Sequence, residues 1–188
     1  MIPSSTQYNA RLARYPETPS KFVSGIEVRV WRKEDNHFTF VYVLTGDLPR
    51  LRIPSPMTPS RVDRLWEHTC FEAFVQVKGQ SAYYEFNLSP SGKWAAYVFR
   101  GYRDGGPIEN DDLDPKIVVR KEFEMLELSA VIRLNRLRQM PGATLRLGLC
   151  AVIEESDGRL SYWALNHPGG KPDFHHPDSF ALDITLPG

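Results

Sequence analysis

The chain has 188 residues, of which 41% are apolar, enough for one domain of ordinary size with a sizeable core. Its 23 lysines and arginines equal its 23 aspartates and glutamates, so the formal net charge is zero. Proteins that bind nucleic acids or membrane surfaces carry a basic footprint, and this balance argues against both classes.

The two cysteines and the N-terminal segment indicate the compartment. Cys70 and Cys150 lie in alternating apolar runs, so we predict buried free thiols rather than a disulfide. Residues 1–20 show no apolar segment behind a basic start, and no run approaches the roughly 20 apolar residues of a membrane helix. We therefore expect a soluble, cytoplasmic protein. Residues 1–188 would form a single domain, with its core at 21–186 and an N-terminal extension at 1–20.

Nearly every run of the sequence alternates with a period of two, which predicts strands and less than about 10% helix. Four prolines mark residues 48–64 as a stiff crossover, 103–115 form a polar loop, and 134–140 are compatible with one helical turn. The pattern favours an antiparallel β-sandwich of the immunoglobulin-like or jelly-roll-like kind. The predicted strands are 23–30, 37–45, 65–77, 82–88, 93–100, 117–121, 126–132, 145–153, 160–165 and 180–186.

The most informative segment is the hairpin around the turn at residues 78–81. If Val77 faces Ala82, the apolar side chains of both strands share one face, because Phe71 then lies opposite Leu88. A slip of one residue would bury Glu72 among apolar side chains, so we predict this register.

The other face of the same hairpin mixes aromatic and polar groups. A second four-residue turn at 89–92 would set Leu88 opposite Lys93 and Asn87 opposite Trp94. Aromatic rings stack on the C–H faces of sugars, and carboxylates and amides bond their hydroxyls, so this face predicts a binding surface. Alternatively, a loop or an N-terminal strand covers it. The residues gathered there are Trp66, His68, Glu72, Phe74, Glu85, Asn87 and Trp94.

These residues also carry a resemblance to a known family. Residues 65–74, Leu-Trp-Glu-His-Thr-Cys-Phe-Glu-Ala-Phe, resemble the signature strand of family 9 carbohydrate-binding modules and the related DOMON domains. Residues 83–92 resemble the strand and turn that follow it. Segments 145–148, 159–165 and 171–176 are similar to bacterial DOMON-like proteins. The resemblance covers about residues 21–186 and implies a β-sandwich that binds a sugar or a haem.

In the sugar-binding branch of that family, two tryptophans clamp the sugar and a glutamate bonds its hydroxyls. Trp66 and Glu72 match the first tryptophan and the glutamate by spacing, and Trp163 is the candidate for the second. Such modules usually belong to secreted enzymes, so the missing export signal indicates a small sugar or sugar-like metabolite rather than a polysaccharide. Arg159 and Lys171 flank Trp163 and would supply donors to a charged sugar.

The full predicted site combines both arguments. Its floor consists of Trp66, Glu72, Glu85, Asn87 and Trp94, and its wall of Trp163, with Arg159 and Lys171 as the flanking donors.

Other ligands fit less well. Haem-binding relatives use methionine with histidine or lysine, but Met1, Met57, Met125 and Met140 match no such pattern, so haem stays an alternative and no cofactor is expected. Zinc at His68, Cys70 and Glu72 would take all its ligands from one strand, and only if Cys70 points outward, whereas catalytic zinc prefers ligands from several elements. Calcium at Asn110, Asp111, Asp112 and Asp114 lacks the spacing of an EF-hand. We expect His167, His175 and His176 to be loop hydrogen-bonding residues.

Catalysis is not expected. No phosphate loop, dinucleotide fingerprint or Gly-x-Ser-x-Gly motif occurs. Glu72 and Glu85 resemble a glycoside-hydrolase carboxylate pair, but on an open sheet they would lack the burial that raises one pKa. We therefore predict a non-catalytic ligand-binding module. A protein-interaction module that uses the same patch is the remaining alternative.

Overall fold

Twelve strands, and only short 3₁₀ helices, appear in residues 6–32, 37–108, 115–134 and 142–186, which are the residues that the computed structural model describes. Strand makes up 56% and helix 5%, which confirms the predicted all-β class. The strands are β1 Gln7–Arg14, β2 Val23–Arg32, β3 His37–Gly46, β4 Cys70–Val77, β5 Tyr83–Leu88, β6 Trp94–Gly101, β7 Asp104–Pro107, β8 Lys116–Lys121, β9 Met125–Arg133, β10 Thr144–Glu154, β11 Leu160–Ala164 and β12 Leu182–Thr185.

The strands form two antiparallel layers that share β1. The first sheet has the order β8-β9-β3-β2-β1, and the second has the order β7-β6-β5-β4-β10-β11. β12 pairs with the opening residues of β10, beside β11. β1 pairs with β2 along most of its length and with β11 at Ala13 and Arg14, so it turns the corner between the sheets.

The core lies between the two sheets, where the apolar side chains of alternate residues meet. Phe38, Phe40 and Tyr42 of β3 pack there with Phe71 and Phe86 of the second sheet. Tyr42 also donates a hydrogen bond across the core to the carbonyl of Glu72, with 2.7 Å between the oxygens. This contact fixes one sheet against the other directly beneath a predicted site residue.

Two segments differ from the predicted elements. Residues 7–14, expected as an extension, form β1 and belong to the sandwich, so the core begins before residue 21. The polar stretch after residue 103 contains the short edge strand β7, which pairs with β6. The predicted turn at 134–140 and the acidic calcium candidate at 110–114 lie almost wholly outside the described residues.

The first predicted hairpin register is correct: Phe71 pairs with Leu88, and Glu72 with Asn87. The second register is wrong by one residue, because Leu88 pairs with Trp94. Ser89 bonds Lys93 and leaves a three-residue loop that ends at Gly92, whose φ of +86° is the left-handed conformation typical of such loops. A one-residue shift moves every side chain of β6 to the opposite face.

Within the described residues, no helix has the length and apolar character that crossing a membrane requires.

Candidate functional site

A cavity of about 460 Å³ lies on the face of the second sheet that points away from the core. Its floor is built from alternate residues of adjacent strands, so β4, β5 and β6 each contribute side chains. The lining residues are Asp63, Trp66, Glu72, Glu85, Tyr97, Phe99, Arg103, Gly105, Gly106, Pro107, Val152, Tyr162, Pro172, Phe174 and His175.

Three polar side chains are buried in the sheet at the base of this cavity. Glu72 is 3% exposed, Glu85 is 5% exposed and Asn87 is fully buried. Asn87 Nδ2 donates to Glu85 Oε1 at 2.8 Å. Glu72 Oε1 and Asn87 Oδ1 have no hydrogen-bond partner among the described residues.

Burial dominates the ionisation of both carboxyl groups. It raises the pKa of Glu85 to about 7, although the Asn87 hydrogen bond and Arg103 act in the opposite direction. It also raises the pKa of Glu72 well above its usual range, and the neighbouring Glu85 raises it further. Near neutral pH the floor therefore holds protonated or partly protonated carboxyl groups.

The covering segment, residues 165–181 between β11 and β12, folds back over part of the outer face and brings His175 to the cavity. The His175 ring packs edge-on against Phe74, with 5.1 Å between the ring centroids, and its Nδ1 lies 2.8 Å from the Tyr83 hydroxyl. Its Nε2 lies 3.6 Å from Glu85 Oε2. Burial, with a contribution from Arg103, lowers the pKa of His175 to about 4, so the ring is neutral near neutral pH.

The rim is formed by Trp66 and by two short loops. Trp66 lies in the 3₁₀ helix Leu65–Glu67, 38% exposed, with its ring edge-to-face with Tyr97 at 5.8 Å. The Tyr97 hydroxyl donates to Asp63 Oδ1. On the other side, Arg103 Nη2 lies 2.8 Å from Asp173 Oδ1.

Backbone conformation also singles out this rim. Among the described residues, Arg64 and Arg103 are the only non-glycine residues with positive φ, at 62° and 55°. One precedes Trp66 by two positions and the other lines the cavity. A positive φ is unfavourable for a residue with a side chain and persists only where the surrounding structure holds it in place. Such conformations cluster at functional sites.

The fold has similar solved structures. The chain is similar to a Bacteroides uniformis protein described as a "putative carbohydrate-binding protein", at 17% identity and a TM-score of 0.68, covering 97% of this chain and 86% of that one. It is also similar to a family 9 carbohydrate-binding module from Caldicellulosiruptor kristjanssonii. The structure with glucose gives 13% identity, a TM-score of 0.54 and coverage of 90% and 79%. The structure with cellotriose gives 12%, 0.58, 96% and 83%. These identities show the sandwich fold alone. No family model and no curated protein matches the sequence.

The structure brings Trp66, Glu72 and Glu85 of the predicted site into the cavity lining, and it buries Asn87 directly beneath them. Trp66 reaches the cavity from the 3₁₀ helix, because β4 begins at Cys70 rather than at residue 65. The predicted alternative, a covered face, applies to part of the sheet: Phe74 lies under Phe180 and His175.

Two predicted tryptophans are on the wrong face. Trp94 is 3% exposed in the core between the sheets, because the shorter loop after β5 reverses the side chains of β6. Trp163 pairs with Ala151, also faces that core, and donates from Nε1 to Ser161 at 3.0 Å. Neither can contact a ligand on the outer face.

The two predicted basic donors and His68 also lie outside the cavity lining. Arg159 forms ion pairs with Glu155 and Asp157 in the β10–β11 turn. Lys171 is exposed next to lining residue Pro172. His68 lies 2.8 Å from Glu154 Oε2.

Several lining residues were missed from the sequence. In the observed β6 register the side chains of Tyr97 and Phe99 lie on the outer face. Tyr162 also lies on that face, because it alternates along β11 with Trp163, which faces the core. His175 and Arg103 come from loops, so no strand pattern points to them. The double histidine at 175–176 was a signal, but its partner Tyr83 lies 92 residues away.

The remaining predictions concern metal ions, haem, the two carboxyl groups and the cysteines. No group of three or more metal-binding side chains occurs among the described residues. Met57 and Met125 do not line the cavity. The prediction that Glu72 and Glu85 lack burial is wrong, because both carboxyl groups are buried and burial raises both pKa values. Cys70 and Cys150 are buried free thiols, as predicted.

Proposed function

We propose that this chain is a non-catalytic carbohydrate-binding module that holds a small sugar in the outer-face cavity. The observation that carries the proposal is the combination, in one cavity, of buried carboxyl groups and a surround of aromatic rings. The volume lies within the roughly 300–1,000 Å³ common for small-molecule sites. The sugar complexes of the structurally similar family 9 module support the same reading.

The two kinds of lining residue would divide the recognition of a sugar. Trp66 and Tyr97 present ring faces and edges at the rim, where they can cover the C–H face of a pyranose. Glu72 and Glu85 lie deeper and can accept or donate hydrogen bonds to hydroxyl groups. Such a site binds through apolar contact and gains orientation from a few polar groups.

The carboxyl pair favours binding over hydrolysis. Glycoside hydrolysis through two carboxyl groups needs one protonated acid and one ionised nucleophile or base, held apart by their environments. Here burial raises the pKa of Glu72 and of Glu85 in the same direction, and both lie on one sheet face with a hydrogen-bonded amide opposite Glu72. In mildly acidic solution both carboxyl groups are mainly protonated, so the ionised partner is scarce.

Titration calorimetry with glucose, galactose and cellotriose tests the proposal. We expect measurable binding of at least one of these sugars. Trp66→Ala should weaken that binding by about 1–3 kcal/mol through lost apolar contact. Phe123→Ala is a matched control, because Phe123 is 82% exposed and lies outside the cavity lining. Equal losses in both variants, or no sugar binding at all, would contradict the proposal.

A further inference from the structure

Acidic side chains outnumber strongly basic ones in the lining of the cavity. Of the described residues that line it, Asp63, Glu72 and Glu85 carry carboxyl groups and Arg103 carries a guanidinium group. That guanidinium already lies 2.8 Å from Asp173, which does not line the cavity. The lining therefore offers acidic groups without an equal number of available cations.

Two buried acceptor atoms without a partner among the described residues belong to residues that lie directly opposite each other at the base of the cavity. Glu72 and Asn87 are directly opposite on paired strands, a position in which their side chains are within reach of each other. Glu72 Oε1 and Asn87 Oδ1 both lack a hydrogen-bond partner, and a buried acceptor left unpaired is unfavourable. In this orientation Asn87 Nδ2 donates to Glu85 Oε1 at 2.8 Å, and turning the amide round would require a proton on Glu85 instead, so either arrangement needs one proton in the chain. A proton on Glu72 resolves the conflict, since its hydroxyl can then donate to Asn87 Oδ1.

We propose that the cavity takes an ammonium-bearing sugar, whose positive charge replaces a proton that the Glu72–Asn87–Glu85 chain holds when the cavity is empty. This inference rests on the proposed function and specifies its ligand class. In the exchange, the cationic ligand enters, one carboxyl group of the chain ionises, and its proton passes to the buffer. The occupied site then carries the same net charge as the empty, protonated site, because the ammonium group takes the place of the released proton and pairs with the buried carboxylate as it forms.

The aromatic surround fits the same ligand. Tyr97 and Phe99 lie next to Glu85 on the neighbouring strand, and Trp66 contacts the Tyr97 ring. Aromatic faces attract an ammonium group through their negative π-surface, and cages of aromatic rings hold ammonium groups in many proteins. An uncharged hydroxyl in the same place would gain neither interaction.

Other ionisable groups face the chain and bear on its pH response. His175 lies 3.6 Å from Glu85 Oε2 and is neutral near neutral pH, so it does not supply the missing cation. The remaining groups are Tyr42 from β3, Cys70 from β4, Tyr83 from β5, Tyr97 from β6, Cys150 from β10, and Asp63, Arg103 and Asp173 from the loops.

Calorimetry with glucosamine, N-acetylglucosamine and glucose at about pH 6 tests the inference, since the amine is then charged. We expect glucosamine to bind at least about tenfold tighter than the two uncharged sugars. Repeating the titration in buffers of different ionisation enthalpy should show proton release with glucosamine alone. Glu72→Gln and Glu85→Gln should each reduce that preference and the proton release. The matched control is Glu127→Gln on the first sheet, where Glu127 pairs with Arg29.

The outcomes separate the two proposals. Glucose binding without a preference for glucosamine, or a preference without proton release, overturns the ammonium inference and leaves the sugar-binding function standing. Binding of none of the sugars used in either titration overturns both.

Discussion

His175 Nε2 lies 3.6 Å from Glu85 Oε2, so a residue of the covering segment and a residue of the sheet floor meet inside the cavity. The Tyr83 hydroxyl holds the other ring nitrogen of His175 at 2.8 Å. Burial moves the two pKa values in opposite directions, to about 4 for His175 and to about 7 for Glu85. Both groups are therefore mainly uncharged in mildly acidic solution, and charging either one should destabilise the fold.

Glu85 should make the protein less stable as pH rises. Its pKa is higher in the folded protein than in the unfolded chain, so its contribution is fully favourable below about pH 4 and is lost as pH rises through about 7. The difference corresponds to about 3 kcal/mol. In urea unfolding, the free energy of unfolding of Glu85→Gln relative to the wild type should increase by roughly this amount as pH rises from about 4 to about 8. A constant difference across that range would show that Glu85 ionises normally.

His175 should act in the opposite sense. Its pKa is lower in the folded protein than in the unfolded chain, so its favourable contribution is complete above about pH 6.5 and is lost as pH falls through about 4. The expected loss is again about 3 kcal/mol. His175→Gln should remove that dependence, which urea unfolding at about pH 4 and about pH 7 would detect. If the wild type and the variant respond equally to acid, the ring is not buried as described.

The two tryptophans Trp66 and Trp94 should separate binding from folding. Trp94→Ala should cost about 3–5 kcal/mol of unfolding free energy, because Trp94 is packed between the sheets. Trp66→Ala should cost clearly less, because Trp66 is 38% exposed at the rim. Chemical denaturation of both variants measures this directly. A larger loss for Trp66 than for Trp94 would be incompatible with the β6 register.

Cys70 and Cys150 should be unreactive in the folded protein. Both are buried, and burial raises the pKa of each thiol well above its usual value, so the reactive thiolate is scarce. Titration with a thiol reagent should find little reaction under native conditions and two groups after denaturation without reductant. Rapid native labelling would contradict this burial.

The sequence was informative where local alternation decides the structure. The Phe71–Leu88 hairpin could be predicted because a slip of one residue would bury Glu72 and Gln76 in the apolar core. Its outward face correctly included Glu72 and Glu85. Their burial was not predictable, because it depends on the covering segment around His175, which packs there through contacts distant in sequence.

The two misplaced tryptophans of the predicted site have different causes. One residue fewer between β5 and β6 turns Trp94 inward and Tyr97 outward, and Ser-Pro-Ser-Gly is compatible with either loop. Trp163 was assigned to the site because the resembling family has a second tryptophan there. It pairs with Ala151, and both side chains lie in the core between the sheets. A tryptophan is as suitable for packing as for binding, so composition alone could not decide between these roles.

The measurement that tests the central claim most directly is a backbone and side-chain amide NMR titration with glucose and glucosamine. We expect saturable shifts confined to the outer face of β4, β5 and β6, including the Asn87 side-chain amide and the Trp66 indole, with the first sheet unchanged. If neither these two sugars nor galactose and cellotriose produce saturable shifts, or if the shifts map to the first sheet, the outer-face cavity is not a carbohydrate site.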